Sequence, residues 1–396
     1  MTSSPPPART LALPEFRLET YFARWEFSAR YHLTASDAET MTVRELLAFE
    51  AQDGAGGAAD GLAALGELRL GYTPTWGTDA LRQAVASTYE RAGAEDVLCF
   101  AGAEEALFWA LSELVGPGDH ALVAVPNYQS MESVTVATGA EVSGLPLWSG
   151  EGEGLRWTLD LDRVRGALRD NTRLIAVNFP NNPTGFVPER DTFVALARLC
   201  DERGIRLLCD EVYRGLERDP ERTLPQGADL SERAVSINVL SKAYGLAGLR
   251  VGWVVSRDRE LLGRLERRKH YTSICNAGPS EHLAVVALRH RERILARNRA
   301  IIAANLPVFE AFFAEFGELF AWAPPDGGCV AYPRYRGVEG AEAFCRRAVE
   351  ERGVLLLPPS VYRSGLGEVP EDRFRIGVGR RDPGPALEAL RKLLRG

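Results

Sequence analysis

From about residue 80 to residue 256, short apolar runs alternate with amphipathic stretches, and this alternation constrains the fold more than any other feature of the chain. The runs are "DVLCFAG", "ALVAVPNY", "RLIAVNFPNNPTG", "RLLCDEVY", "AVSINVLSK" and "RVGWVVS". Helical patterns fill the gaps, among them Glu104 to Val115, Leu161 to Leu168 and Arg190 to Glu202. Short β-rich runs separated by helices predict an α/β fold, a mostly parallel central sheet covered by helices on both faces. The expected limits of this large domain are 71–284. A helix over "DRELLGRLERRKHY" leads out of it, and helices with short strands ("GCVAYPRY", "GVLLLPP", "FRIGVG") predict a smaller α+β domain over 285–396. Residues 17–70 read as a segment joining the small domain, broken by a flexible loop "DGAGGAADG" at 53–61, and residues 1–16 as a loose, partly polyproline arm.

Bulk properties narrow the partners. A chain of 396 residues with 45% hydrophobic content suits one large and one smaller globular domain. Its net charge of −7 is spread without a basic stripe, so nucleic acid is not an expected partner. No run of about 18 apolar residues predicts a membrane span. The six cysteines form no CxxC pair, which points to reduced thiols in a cytoplasmic protein and to no metal site.

The chemistry-bearing residues fall just after the apolar runs, and in an open parallel sheet ligands bind outside the carboxyl ends of the strands. In "FAGAEEALFWAL", Gly102 permits a tight turn, and the free N–H groups of a helix starting near Ala103 or Glu104 make an anion site. By itself that stretch reads first as an ordinary strand–helix turn. Asp210 in "LLCDEVY" is a carboxylate at the end of a buried strand, which needs a cationic or hydrogen-bonding partner or else serves as a cap. Tyr213 follows it, as a core residue or a ligand contact. Asn182 sits in the rigid loop "NFPNNPTG" and can present an amide to a ligand or hold the turn. Lys242 ends "INVLSK": near apolar groups and another cation, a lysine amine loses its proton easily and forms a Schiff base with a carbonyl. A snorkelling structural lysine is the plainer alternative. Arg250 offers a planar fork for phosphate or carboxylate. The glycines nearby space as GxxGxxxG, which speaks against a dinucleotide site. Taken together these groups suit pyridoxal 5'-phosphate, which carries a phosphate, a protonatable ring nitrogen, a ring oxygen and an aldehyde.

The stretches "NNPTG", "DEVY" and "SKAYGLAGLRVGW", in that order, resemble the class I/II aminotransferases, fold type I of the pyridoxal-phosphate enzymes, and the likeness runs from about Gly71 to Arg380. The resemblance implies roles residue by residue. Lys242 is similar to the Schiff-base lysine that also moves the substrate's α-proton. Asp210 matches the partner of the ring nitrogen, and Asn182 and Tyr213 match the contacts of the ring oxygen. Tyr128 in "VPNYQS" matches the residue stacked on the ring. Gly102, Ala103, Glu104, Ser241 and Arg250 match the phosphate contacts. Tyr72 in "LGYTPTWGTDALR" resembles the tyrosine that reaches the neighbouring subunit's phosphate, which implies a homodimer with shared sites. Arg375 in "FRIGVG" is similar to the fork on the substrate carboxylate, beside Asn182. Two hydroxyl residues common in relatives are absent, their places taken by Val239 and Ala103. "RWEFSARYHLTASDAET" also departs from the usual opening. Trp25, Glu26, Phe27 and Asp37 are candidates there for side-chain recognition or, more simply, helix packing, and Tyr271 to Asn276 for the partner's pocket.

The activity implied is transfer of an amino group between an L-amino acid and a 2-oxo acid. Elimination or cyclisation of an arginine-like amino acid is the alternative, because capreomycidine-synthase-like enzymes resemble the "LSKAYGLAGLRVGW" stretch too. Some transcription regulators carry an aminotransferase-like domain; the likeness begins too near the N-terminus for an added DNA-binding domain to be expected here.

Overall fold

The computed structural model describes residues 12–51 and 58–396. Most of the expected N-terminal arm and most of the expected glycine-rich loop lie outside the described residues.

The centre is a seven-stranded sheet. Its strands are β1 (Val97–Phe100), β2 (His120–Val125), β3 (Glu141–Pro146), β4 (Thr172–Asn178), β5 (Arg206–Asp210), β6 (Ala234–Val239) and β7 (Gly252–Val255). Their spatial order is β1-β7-β6-β5-β4-β2-β3. Neighbours from β6 to β3 pair in parallel, whereas β7 runs antiparallel to both β1 and β6. Successive side chains point to opposite faces. Ile175 and Leu207 join a core with Phe193 and Leu196 on one side, while Ala176 and Leu208 join Leu107, Leu111 and Leu261 on the other. Burial on both faces is why these strands read as continuous apolar runs. The expected helices form at Ala103–Leu114, Leu161–Ala167 and Arg190–Arg203.

The N-terminal segment crosses to the far end of the chain. Tyr31–His32 pairs in parallel with Val354–Leu355, and Gly377 N donates to Leu33 O at 2.8 Å. The same segment also touches the sheet's working edge, where Ala38 N donates to Lys242 O at 3.0 Å. Among the described residues no helix is long and apolar enough to cross a membrane.

Candidate active site

Sheet topology gathers the candidate residues at one edge. Asn178 pairs with Asp210, and Asp210 with Ile237, so the carboxyl ends of β4, β5 and β6 lie side by side. Because β7 is antiparallel, it begins at that edge. Gly252 pairs with both Phe100 and Val239, which brings Arg250, two residues earlier, beside the turn after β1. A cavity of about 350 Å³ opens there, lined by Ala103, Glu104, Tyr128, Asn182, Asp210, Tyr213, Ser241, Lys242 and Arg250. Glu19, Leu107, Asn178, Val212, Val239 and Ala247 complete its polar and apolar walls.

The turn after β1 is a cradle that only glycine fits. Gly102 takes φ +110°, and a Cβ there would stand 2.6 Å from Arg250 Nη2. Across it, Arg250 Nη2 donates to Ala101 O at 3.3 Å and Nη1 to Ser241 Oγ at 3.4 Å. The guanidinium therefore faces the first amides of the helix Ala103–Leu114. A helix N-terminus and an arginine aimed at one point suit a phosphate.

Asp210 is buried, and its Oδ1 accepts from Val212 N at 3.2 Å. Burial raises its carboxyl to about 7, against the pull of the Val212 amide and of the Lys242 ammonium. A cationic ring nitrogen would supply the charge that Asp210 lacks. Loss of surrounding water pulls the Lys242 amine below its usual range; Asp37 opposes this and the Arg375 guanidinium adds to it. Lys242 Nζ donates to Ser36 Oγ at 2.9 Å. The buried Tyr213 Oη has no hydrogen-bond partner among the described residues, and burial raises its pKa. An orphaned phenol, a phosphate cradle, a buried carboxylate and a lysine held below its usual pKa in one cavity fit pyridoxal phosphate.

Arg375 is not the surface arginine that its short strand allows. It is 1% exposed, and it donates to Asn182 Oδ1 at 3.1 Å and to Thr34 O at 2.9 Å. Tyr362 Oη donates to the same Asn182 oxygen at 3.1 Å. Tyr72 stands apart from the cavity, 92% exposed, on a cleft of about 560 Å³ shared with Gly278 and His282. Trp25, Glu26 and Phe27 do not line the cavity, and Phe27 is 94% exposed, so it does not pack. Asp37 pairs with Arg380 at 2.7 Å. Glu211 does not line the cavity, and its Oε1 accepts from Gly227 N and Ser236 Oγ. Sequence reading passed over Ser36, Glu19 and Tyr362. Ser36 lies beside the candidate Asp37 but was not singled out, Glu19 and Tyr362 sit in no quoted motif, and each reaches the site from a distant part of the chain.

The chain as a whole is similar to known proteins. The model of the aminotransferase class I and II family matches residues 33–393. The chain is 32% identical to capreomycidine synthase of Streptomyces vinaceus over 378 residues, covering 95% of this chain and 92% of that one. A PLP-dependent aminotransferase from Streptococcus suis superposes with a TM-score of 0.87 at 30% identity, covering 97% of this chain and 98% of the other. The PLP-dependent cyclase OrfR superposes with a TM-score of 0.84 at 27% identity, covering 100% and 99%. The chain therefore belongs to the aminotransferase class I and II family, with the fold type I architecture and pyridoxal phosphate as its cofactor.

Proposed function

We propose that this protein is an aminotransferase that moves an amino group between an L-amino acid and a 2-oxo acid. The observation that carries this reading is Lys242: its amine, pulled below its usual range by burial, lies in one cavity with Asp210, while the Arg375 fork is held beside Asn182. Pyridoxal phosphate supplies an aldehyde that captures amines and a ring that stabilises charge on the carbon next to the captured nitrogen. The chain's own residues do the rest. Arg250, Ser241 and the amides of Gly102, Ala103 and Glu104 hold the phosphate. Asp210 keeps the ring nitrogen protonated, Asn182 and Tyr213 hold the ring oxygen, and Tyr128 covers the ring. Arg375 orients the substrate by its carboxylate. Lys242, as a neutral amine, takes the proton from the substrate's α-carbon and returns it elsewhere. Val239 and Ala103 offer no hydroxyl, so the phosphate depends more on Arg250, Ser241 and backbone amides.

The protein works as a homodimer in this reading. Tyr72 is exposed on a cleft also lined by Leu68, Pro74 and Val285, suited to a second copy whose phosphate Tyr72 would reach. The domain limits 71–284 and 285–396 and a cytoplasmic location belong to the same reading.

A second reading, elimination or cyclisation, is favoured by the similarity to capreomycidine synthase and to OrfR. One experiment separates the two. The purified protein is mixed with single amino acids and no 2-oxo acid. Transfer releases one equivalent of 2-oxo acid per active site and then stops. Elimination releases 2-oxo acid and ammonia continuously, and cyclisation gives a rearranged product continuously and no 2-oxo acid. If no amino acid gives any of these results, both readings fail.

A further inference from the structure

We propose that Ser36 is a positioning residue for the proton carrier: its hydroxyl takes a hydrogen bond from Lys242 and so aims the amine at the substrate's α-carbon, a role that rests on reading Lys242 as the group that moves the α-proton.

Lys242 Nζ donates to Ser36 Oγ at 2.9 Å, although the two lie 206 positions apart in the chain. Lysine carries its amine on a flexible four-carbon stem. A base that wanders loses rate steeply, because the reacting atoms must meet within about 3–3.5 Å in the right orientation. A neutral amine has two N–H groups and one lone pair. One N–H given to Ser36 fixes the stem and leaves the lone pair free. In the transfer the α C–H bond breaks, its electron pair stays on the substrate, and the Nζ lone pair forms the new N–H bond. Lys242 is then an ammonium, and Ser36 Oγ accepts from it more strongly than from the amine. Asp37, the next residue, favours that charge more than Asp210 does.

Two features make the contact a built one. First, the backbone around Ser36 is pinned on both sides. Leu33 O accepts from Gly377 N at 2.8 Å, Ala38 N donates to Lys242 O at 3.0 Å, and Glu39 N donates to Gly379 O at 2.9 Å. Asp37 is paired with Arg380 at 2.7 Å. The segment runs so close to residues 377–379 that a Cβ on Gly379 would stand 2.7 Å from Asp37 O. Second, Thr34 O, two residues before Ser36, accepts from Arg375 Nη2 at 2.9 Å. One short, fixed segment therefore holds both the fork for the substrate carboxylate and the amine for the α-proton, and so sets the distance between them.

The test follows exchange of the α-hydrogen in heavy water by mass spectrometry, on the cofactor-loaded protein with each of the common L-amino acids and no 2-oxo acid. Ser36→Ala is expected to hold cofactor as the wild type does, judged by visible absorbance. Its limiting exchange rate is expected to fall about 10- to 100-fold, with little change in the half-saturating concentration. Ser36→Thr, which keeps the hydroxyl, is expected to stay close to the wild type. In the cofactor-free protein, the denaturant midpoints of Ser36→Ala, Lys242→Ala and the double variant read the contact itself, and the two effects are expected not to add. An unchanged rate in Ser36→Ala, equal slowing in Ser36→Ala and Ser36→Thr, or additive effects on the midpoint each overturn the inference while the proposed function stands. If Ser36→Ala loses cofactor, Ser36→Gly replaces it; loss there too makes Ser36 a cofactor contact and overturns the inference. If the wild type exchanges the α-hydrogen of no amino acid, the proposed function falls with it.

Discussion

Arg375 Nη1 donates to Asn182 Oδ1 at 3.1 Å, tying the residue that would grip the substrate carboxylate to one that would hold the cofactor's ring oxygen. The shared oxygen also takes the Tyr362 hydroxyl at 3.1 Å, so Asn182 orients the fork from one side and Thr34 O from the other. Arg375→Lys keeps the charge and loses the fork, and KM for the donor should rise about 10- to 100-fold with a smaller change in kcat. Combined with Asn182→Ala, the two losses should not add. Initial-rate kinetics of the double-mutant cycle should show a coupling of about 0.5–3 kcal/mol; additive losses would mean that the contact has no energetic consequence.

Lys242 is expected to be indispensable. Lys242→Ala should lower turnover by at least about 10²- to 10⁴-fold and remove the visible absorbance of the lysine-bound cofactor. Absorbance spectra and initial rates check this, and a variant that keeps its activity would refute the site assignment.

Gly102 should tolerate no side chain. At φ +110°, with a prospective Cβ 2.6 Å from Arg250 Nη2, Gly102→Ala must displace the guanidinium or open the turn. Cofactor affinity, measured by titrating the cofactor-free protein, should weaken about 10-fold or more while overall folding, read by circular dichroism, is kept. Unchanged affinity would show that the turn is not a phosphate cradle.

Asp210 gives a pH dependence with a definite sign. Burial raises its carboxyl to about 7 from an ordinary 3.8. The folded, cofactor-free protein therefore holds a proton that the unfolded chain releases above about pH 4. Its contribution is fully present below that pH and is lost as pH rises toward 7. Relative to Asp210→Asn, the wild type should lose up to about 4 kcal/mol of stability across this window. Glu211, also raised to about 7 by burial, acts alike in both proteins and cancels in the difference. Denaturant unfolding of both proteins from pH 4 to 8 measures the gap; a constant difference would contradict a proton on Asp210.

Much of this architecture was legible because burial on both faces leaves a continuous apolar trace. All six quoted runs became strands of the central sheet, and the chemistry followed from residues placed just beyond them. The strand β3 left no such trace. "EVSGLP" mixes Gly, Ser and Pro at a sheet edge where one side needs no burial, so nothing apolar repeats along it. The direction of β7 was equally hidden, since a short buried strand reads the same in either sense.

Residue type and chain order were enough to assemble Lys242, Asp210, Asn182, Tyr213 and Arg250 into one chemistry, because each must follow or precede a strand of a parallel sheet to do its work. Folding alone decided how the remaining residues meet them. The antiparallel β7 swings Arg250 over Gly102, the crossing of residues 31–38 brings Ser36 to Lys242, and the docking of the Arg17–Trp25 helix sets Glu19 beside Glu104. These contacts join segments far apart in the chain. No local pattern encodes them, because their energy comes from packing and hydrogen bonds that exist only once the layers have closed.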